Sequence, residues 1–339
     1  MSIYNKNIDT FIQKFDVSAH NKHTHGEVNT DFILINKILD LLPQELYADK
    51  TKKWLDPCCG KGYFTIILYK RLFKSLSKQI QNPLKRHKHI IENMIYMIEI
   101  NQQHINEIYM LFGENCNILN GDFLNSTNQK YDIIIGNPPF NVNGIVKVPT
   151  QRELSKKSDG KMIWASFVLH AIGFLKDNGY LAFITPSIWM KKDHFMYSKM
   201  LQYTIEKLHT MTNTQTNQAF HGQAQTPTCY FSLKKTPNVK SQVTLYDSQV
   251  KKYINFPLAH SIPLFGESLF KKLAYFTQNQ QHLIVKKTNM PLKGVQFSLV
   301  KSKNFPYRNI KTCRLNKTEP YLDINYSNKE CRYANVPKL

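Results

Sequence analysis

Tyr131-Asp132-Ile133-Ile134-Ile135-Gly136-Asn137-Pro138-Pro139-Phe140 is the stretch that decides how this chain is read. The run from Tyr131 to Gly136 has the unbroken hydrophobicity of a strand buried on both faces within a parallel sheet. Two consecutive prolines then fix the backbone and remove two N–H donors. What remains is a set of acceptors, the Asn137 side-chain oxygen and the Pro138 carbonyl, beside the flat apolar ring of Phe140. Such a set suits an exocyclic amino group, whose lone pair is delocalised into its base and is a poor nucleophile. Two acceptors gripping its two hydrogens draw the nitrogen toward tetrahedral geometry and stabilise positive charge as a methyl group arrives. A ring stacked on the base holds the reacting atoms in line. Asn137, Pro138, Pro139 and Phe140 are therefore the candidate catalytic residues. The alternative is a proline-rich strand terminator without chemistry.

Outward from this strand the chain alternates short apolar runs with longer mixed segments. Upstream, Lys53–Asp56 ends a strand, Tyr63–Leu76 reads as a helix, Met94–Ile100 as a second strand, Asn101–Phe112 as a helix and Cys116–Leu119 as a third strand. Downstream, a polar stretch over 141–161 precedes a helix over Met162–Leu175. A turn at Asp177-Asn178-Gly179 leads into a fifth strand, Tyr180–Thr185. Pro227–Lys234 and Gln242–Tyr246 read as further strands. The alternation predicts an α/β fold with a mainly parallel sheet, whose ligands bind outside the carboxyl ends of the strands. After about Gln249 the periodicity fades among paired lysines and prolines, which predicts an irregular second domain. The expected division is a catalytic domain over 1–248 and a smaller basic region over 249–339.

The strand ends carry the other candidates. Asp56-Pro57-Cys58-Cys59-Gly60-Lys61-Gly62 follows the first strand and opens a helix, so Gly60 and Gly62 allow a sharp turn and a close approach by a ligand. The helix N-terminus offers N–H groups to a carboxylate, and Asp56 an acceptor to an amine. Glu99 ends the second strand, where an acidic residue binds ribose hydroxyls in dinucleotide folds. The third strand runs into Gly121-Asp122-Phe123, where Asp122 meets an adenine amino group and Phe123 packs on its ring. A glycine-rich turn alone is a common structural feature, but three acidic residues at three successive strand ends point to a cofactor pocket. The Gly62-to-Glu99 separation exceeds the roughly 20 residues usual for such a unit. The basic stretch Lys85-Arg86-His87-Lys88-His89 is read as a solvated insertion.

Lys and Arg total 45 against 24 Asp and Glu, a formal net charge of +21. From Lys235 to Leu339 there are 18 basic and 5 acidic residues, a net of +13. A polyanion, nucleic acid first among them, is the expected partner, and the C-terminal part is expected to grip phosphates; a solubilising surface is the alternative. No segment has the length and apolarity of a membrane span or secretory signal. Six cysteines show no CxxC pair or zinc-like spacing, so free thiols in a reducing compartment and no metal site are expected.

Taken together, the motifs resemble those of the amino-methyltransferase family of DNA methyltransferases, which pair a DPxxGxG-like cofactor turn with NPPF or NPPY. The order, with a basic region last, resembles the gamma arrangement. His25-Gly26-Glu27-Val28-Asn29-Thr30-Asp31 is similar to the family's N-terminal cofactor motif, often GEVFTP, with Thr30 matching and Asn29 and Asp31 departing. Phe174–Pro186 is similar to the family's fifth strand and its entry. The resemblance covers about residues 24–235, and beyond it Thr288–Arg314 resembles family recognition regions.

The resemblance implies a Rossmann-like S-adenosylmethionine-dependent methyltransferase fold and a site-specific, adenine-specific DNA methyltransferase acting on N6. S-adenosyl-L-methionine would be held by Thr30, Asp56, Gly60, Gly62, Glu99, Asp122 and Phe123. The substrate would be double-stranded DNA with the target adenine flipped out. The setting implied is a restriction-modification or viral or bacterial DNA methylation system. The protein is expected to be an intracellular, cytoplasmic monomer, and a restriction endonuclease partner would be separately encoded, since no PD…D/E-x-K cluster is present. Family members often continue past a segment like Asn335-Val336-Pro337-Lys338, so the recognition region is expected to be incomplete. Three rival readings remain: a ribosomal RNA guanine-N2 methyltransferase, a release-factor glutamine methyltransferase, and a non-catalytic nucleic-acid-binding homologue.

Overall fold

The computed structural model of the chain describes residues 30–142 and 161–278, apart from 128, 223, 225, 259 and 260, and residues 294–329, apart from 317 and 318. The elements of the first unit begin with α1 (Phe32–Leu39), α2 (Glu45–Ala48), β1 (Trp54–Asp56), α3 (Tyr63–Ser75) and α4 (Pro83–His89). There follow β2 (Ile95–Glu99), α5 (Gln102–Phe112), β3 (Asn117–Asn120), β4 (Tyr131–Gly136), β5 (Asn141–Val142) and β6 (Lys161–Met162). Then come α6 (Trp164–Phe174), β7 (Leu175–Pro186), α7 (Phe195–Leu201), β8 (Tyr203–Met211) and α8 (Asn213–Ala219). β9 (Thr228–Pro237), β10 (Gln242–Asp247) and β11 (Lys252–Pro257) complete this unit, and α9 (Glu267–Thr277) follows.

Among the described residues nine strands form one sheet in the order β11-β10-β8-β9-β7-β4-β1-β2-β3. Pairing is parallel from β3 through β7 and antiparallel between β9 and both its neighbours, while β10 runs parallel to β8 and antiparallel to β11. β1 lies between β2 and β4, so consecutive connections leave it in opposite directions. That reversal opens a crevice at the carboxyl ends of β1 and β4. Ile133, Ile134 and Ile135 are all fully buried, the outer two in the apolar cluster with α1 and α3 and the middle one in the cluster with α6 and α7. Side chains alternate across a strand, so a strand covered on both sides must be apolar throughout.

Local chemistry sets the helix starts. The Asp31 side chain accepts from the Ile33 N–H at 2.7 Å and caps α1, which accounts for an aspartate at that position. Asn101 caps α5, and Thr212 with Gln215 forms a capping box on α8.

Several expectations need correction. Residues 83–94 are folded, as α4 followed by a π-helical segment Ile90–Met94, and are not a solvated loop. Arg86 is buried, with its guanidinium 4.0 Å from the Phe73 ring centre and donating to the Ile80 carbonyl at 3.0 Å. β8 was not anticipated, because its register shifts against β9 near Tyr203 and Ile205 leave Ile205, Leu208 and Met211 buried at intervals of three, a spacing that mimics a helix. The chain divides into compact units of residues 1–145 with 160–270, and 146–159 with 271–339. The break thus falls at Phe270 rather than 248, since β11 pairs with β10 from Lys252 to Pro257.

The described part of the second unit is regular where an irregular region was expected. β12 (Phe297–Ser298), β13 (Tyr307–Asn316) and β14 (Glu319–Ser327) form an antiparallel sheet in the order β12-β14-β13. Among the described residues no helix is long and apolar enough to cross a membrane.

At the end of β10 the fully buried Asp247 accepts from the backbone N–H groups of Gln249, Val250 and Ser268. Gly266, at φ +98°, leaves no room for a β-carbon there, which would stand 2.5 Å from Asp247 Cγ. Asp247→Ala removes the buried acceptor shared by three part-buried backbone donors and is expected to cost about 1–2 kcal/mol, read as a lower urea midpoint with an unchanged slope.

Candidate active site

β1 delivers Asp56 to the crevice and then turns through Gly60 (φ +53°) and Gly62 (φ +83°) into α3. Gly62 is required twice over. Its backbone is left-handed, and a β-carbon would stand 2.5 Å from Ile108 Cδ1 of α5. The turn is held from across the sheet: Cys59 N–H donates to the Ile98 carbonyl at 3.2 Å, and Gly60 N–H to Glu99 Oε2 at 2.8 Å.

Glu99 is buried and does more than face a ligand. Its Oε1 accepts from the N–H groups of Ile100 and Asn101 at 3.0 and 2.8 Å, with His104 Nδ1 3.8 Å away. Burial by itself would raise its carboxyl titration, but the nearby His104 imidazole and the hydrogen bonds from Asn101 and Gly60 outweigh burial and hold it below the ordinary carboxylate range. One lone pair on Oε2 is left for a hydroxyl donor.

Asp56 is the opposite case. Its Oδ2 accepts from the Thr65 hydroxyl at 3.2 Å, while Oδ1 is buried with no hydrogen-bond partner among the described residues. Burial pushes its carboxyl up to about 7, and the Glu99 charge adds to the rise against the lowering hydrogen bonds from Thr65 and Cys58. Gly136, at the end of β4, makes room for it. A β-carbon there would lie 3.2 Å from Asp56 Oδ1 and 3.6 Å from the Phe183 ring.

Asn137 follows at once. Its Nδ2 donates to the Thr30 hydroxyl at 3.1 Å, and its Oδ1 is a second buried acceptor without a partner among the described residues. The Asn137 backbone carbonyl accepts from the Cys58 thiol at 3.4 Å, which joins the β1 turn to the β4 end. Pro138 is buried, Pro139 and Phe140 half-buried, and the Phe140 ring stands edge-on to Phe220 at 6.2 Å.

Thr30, Asp56, Gly60, Glu99 and Asn137 are thus linked by hydrogen bonds or a shared turn at one end of the sheet. Asp122 sits nearby at the end of β3, where Gly121 N–H donates to the Glu99 carbonyl at 2.9 Å. Its own oxygens take the Leu124 N–H and the Asn125 amide at 2.9 and 3.2 Å. Phe123 lies deeper than its expected stacking role requires. It is 2% exposed, among Phe167, His170 and Phe174, so at most an edge of its ring is left for a ligand.

Two residues escaped the sequence reading. Gly136 carried a signal, as a glycine ending an otherwise apolar strand. Ile100, 53% exposed directly after Glu99, carried none, since it reads as the last residue of a strand. His25–Asn29 of the N-terminal motif lie outside the described residues.

The family model for the Eco57I restriction-modification methylase matches residues 62–220. Over 59 residues, 17% of this chain and 5% of the relative, the sequence is 42% identical to the putative type II restriction enzyme and methyltransferase RM.MjaORFECS2P of Methanocaldococcus jannaschii. Over 213 residues it is 25% identical to the type II methyltransferase M.BstVI of Geobacillus stearothermophilus, covering 55% of this chain and 37% of that protein. The chain therefore spans less than two thirds of these relatives' length. A modification subunit of a putative type I restriction enzyme from Vibrio vulnificus shares the fold at a TM-score of 0.50 and 14% identity, over 81% of this chain and 57% of that one. The expected resemblance to restriction-modification methyltransferases is borne out by the family match, and the mixed α/β fold by the shared architecture.

A carboxylate held at about 7 binds its proton in the folded state and releases it in the unfolded state over the interval down to the ordinary aspartate range. Stability of the ligand-free protein therefore falls as pH rises across that interval, and the full penalty is present above 7. Asp56→Asn is expected to raise the melting temperature of the ligand-free protein at pH 8 and to leave it nearly unchanged at pH 4. A thermal melt at the two pH values checks this, and an equal shift at both would contradict it.

Proposed function

We propose that this chain transfers a methyl group from S-adenosyl-L-methionine to the N6 amino group of an adenine flipped out of double-stranded DNA. The observation that carries the proposal is the Asn137 side-chain oxygen, buried, unpartnered among the described residues and presented at the crevice by an amide whose nitrogen is engaged by Thr30. An unpaired buried acceptor costs free energy unless a donor arrives to complete it. The motif order, the family match and the net charge of +21 support DNA as the source of that donor.

The residues at the crevice fit the cofactor. Asp56 Oδ1 is a second orphaned acceptor, suited to an ammonium group, and the turn through Gly60 leaves open space where a β-carbon would stand. Glu99 Oε2 would take a ribose hydroxyl, Asp122 the adenine amino group, and the exposed Ile100 side chain would cover one face of the ring. When bound, S-adenosyl-L-methionine supplies an electrophilic methyl group. Asn137 Oδ1 and the Pro138 carbonyl would each accept one hydrogen of the target amino group. Their pull localises the nitrogen lone pair and stabilises the positive charge that grows on it. Phe140 would stack on the extruded base and fix the line of attack. No covalent bond to the protein is needed. A restriction endonuclease, if one cooperates with this chain, would be encoded separately, and the chain would act as a monomer.

The decisive assay incubates the full chain with isotopically labelled S-adenosyl-L-methionine and duplex DNA, then identifies the modified nucleoside by mass spectrometry. N6-methyl-2′-deoxyadenosine is the expected product; label appearing instead in structured RNA or in a protein glutamine, each offered in a parallel incubation, would overturn the assignment. Asn137→Ala is expected to retain cofactor affinity by calorimetric titration and to lose at least ~100-fold in methyl transfer, because it deletes an acceptor used in the transition state. Near-normal turnover would remove Asn137 from the mechanism.

A further inference from the structure

Leu299 and Val300 stand side by side at 78% and 72% exposure, the largest exposed aliphatic pair in the second unit's described residues. They are held out by a closed piece of backbone. Ser298 Oγ donates to the Val300 carbonyl at 2.9 Å and accepts from the Val300 N–H at 3.1 Å. Ser302 and Phe305 exchange backbone hydrogen bonds at 3.1 and 3.4 Å, closing the turn that follows. The base of the loop is fixed in the sheet, because Phe297 and Ser298 pair with Ser327 and Tyr326 of β14. Asn328 reinforces this by accepting from Gln296 N–H through its side chain at 2.9 Å and donating to the Gln296 carbonyl at 3.2 Å. Two bulky aliphatic side chains on an ordered, anchored tip remain in water at a cost of roughly 25 cal/mol per Å² of apolar area.

The charge around the tip identifies its occupant. Lys301 and Lys303 follow it and are exposed, and residues 294–316 contain five basic side chains and no acidic one. A protein surface complementary to Leu299 and Val300 alone would not need that field, whereas a nucleic-acid duplex offers both elements at once. Its phosphates take the lysines, and its base steps accept an apolar wedge, as in proteins that unstack and bend DNA through Leu, Ile or Phe. We propose that the Leu299–Val300 tip inserts between base pairs of duplex DNA, with Lys301 and Lys303 on the flanking phosphates. This rests on the DNA reading above and deepens it. The wedge unstacks the duplex at the step where the second unit holds it.

Insertion between base pairs untwists DNA, which can be read without knowing the recognised sequence. Closed circular plasmid is relaxed by a topoisomerase in the presence of the full chain, and the topoisomer distribution is compared for wild type, Leu299→Ser with Val300→Ser, and Lys301→Gln with Lys303→Gln. Wild type is expected to lower the linking number. The serine pair should abolish that shift and weaken duplex binding about tenfold while keeping the salt dependence, because it removes stacking contacts and no phosphate contact. The glutamine pair should lower the slope of log affinity against log salt by about 2, one phosphate for each lysine. A serine pair that shifts topoisomers as wild type does overturns the wedge. So does a serine pair whose only change is in sedimentation, which would make the tip a protein–protein contact. Wild type that methylates the plasmid without altering its linking number refutes the wedge and leaves the methyltransferase reading standing. If wild type neither binds nor methylates DNA, both fall.

Discussion

The Glu99 carboxylate accepts hydrogen bonds from Gly60, Ile100 and Asn101, while its own backbone carbonyl takes the Gly121 N–H. Through this one residue the turn after β1, the start of α5 and the exit of β3 are fixed relative to one another. Three strand ends that a parallel sheet would leave as separate loops thereby become one rigid rim. The consequence is chemical as well as mechanical. Because Glu99 is satisfied by donors from the protein, it keeps its charge in a buried place. Asp56, on the same rim, is buried with one oxygen lacking a donor among the described residues, and burial pushes it up to about 7. Two carboxylates in one crevice are thus set to different states by the number of N–H groups aimed at them.

The second joint of the site is between β4 and the segment before α1. Thr30 and Asn137 are 107 positions apart in sequence, yet a single hydrogen bond joins them. Asp31 next door caps α1, and its N–H donates to the Ala219 carbonyl, so the residue that follows Thr30 is held twice where Thr30 meets Asn137. A side-chain amide left to itself can turn its oxygen or its nitrogen outward. Engaging the nitrogen leaves the oxygen as the function without a partner among the described residues, and an acceptor is what the proposed chemistry asks for.

What was legible in the sequence follows from where the signals were local. The β4 strand declared itself because both its faces are covered, and the glycine turn because its positive φ angles demand glycine. Asp56, Glu99 and Asn137 could be picked out because each ends a strand in a parallel sheet. What failed to show depends on partners remote in sequence. β8 hides because its bulges replace a period of two with a period of three. α4 hides because its basic residues look solvated until Arg86 is seen lying on Phe73. Phe123 was given to the ligand, but α6 surrounds it with aromatic rings, a contact between elements some forty residues apart that no local pattern encodes. The hairpin of β13 and β14 was masked by lysines and prolines that suggested disorder of pattern, although its two strands pair from Tyr307 to Ser327.

The unpartnered oxygen of Asp56 also bears on how long the protein survives. Near neutral pH the crevice by itself surrounds a carboxylate that gains little from its neighbours when ionised, so part of the fold's stability is withheld. Under the proposed function, a ligand carrying an ammonium group would supply the missing countercharge and bind only the folded state, shifting the unfolding equilibrium by mass action. Turnover of such a protein by cellular proteases then becomes coupled to the supply of that ligand. When the ligand is scarce the molecule is not merely idle; it is also the form most readily opened and destroyed.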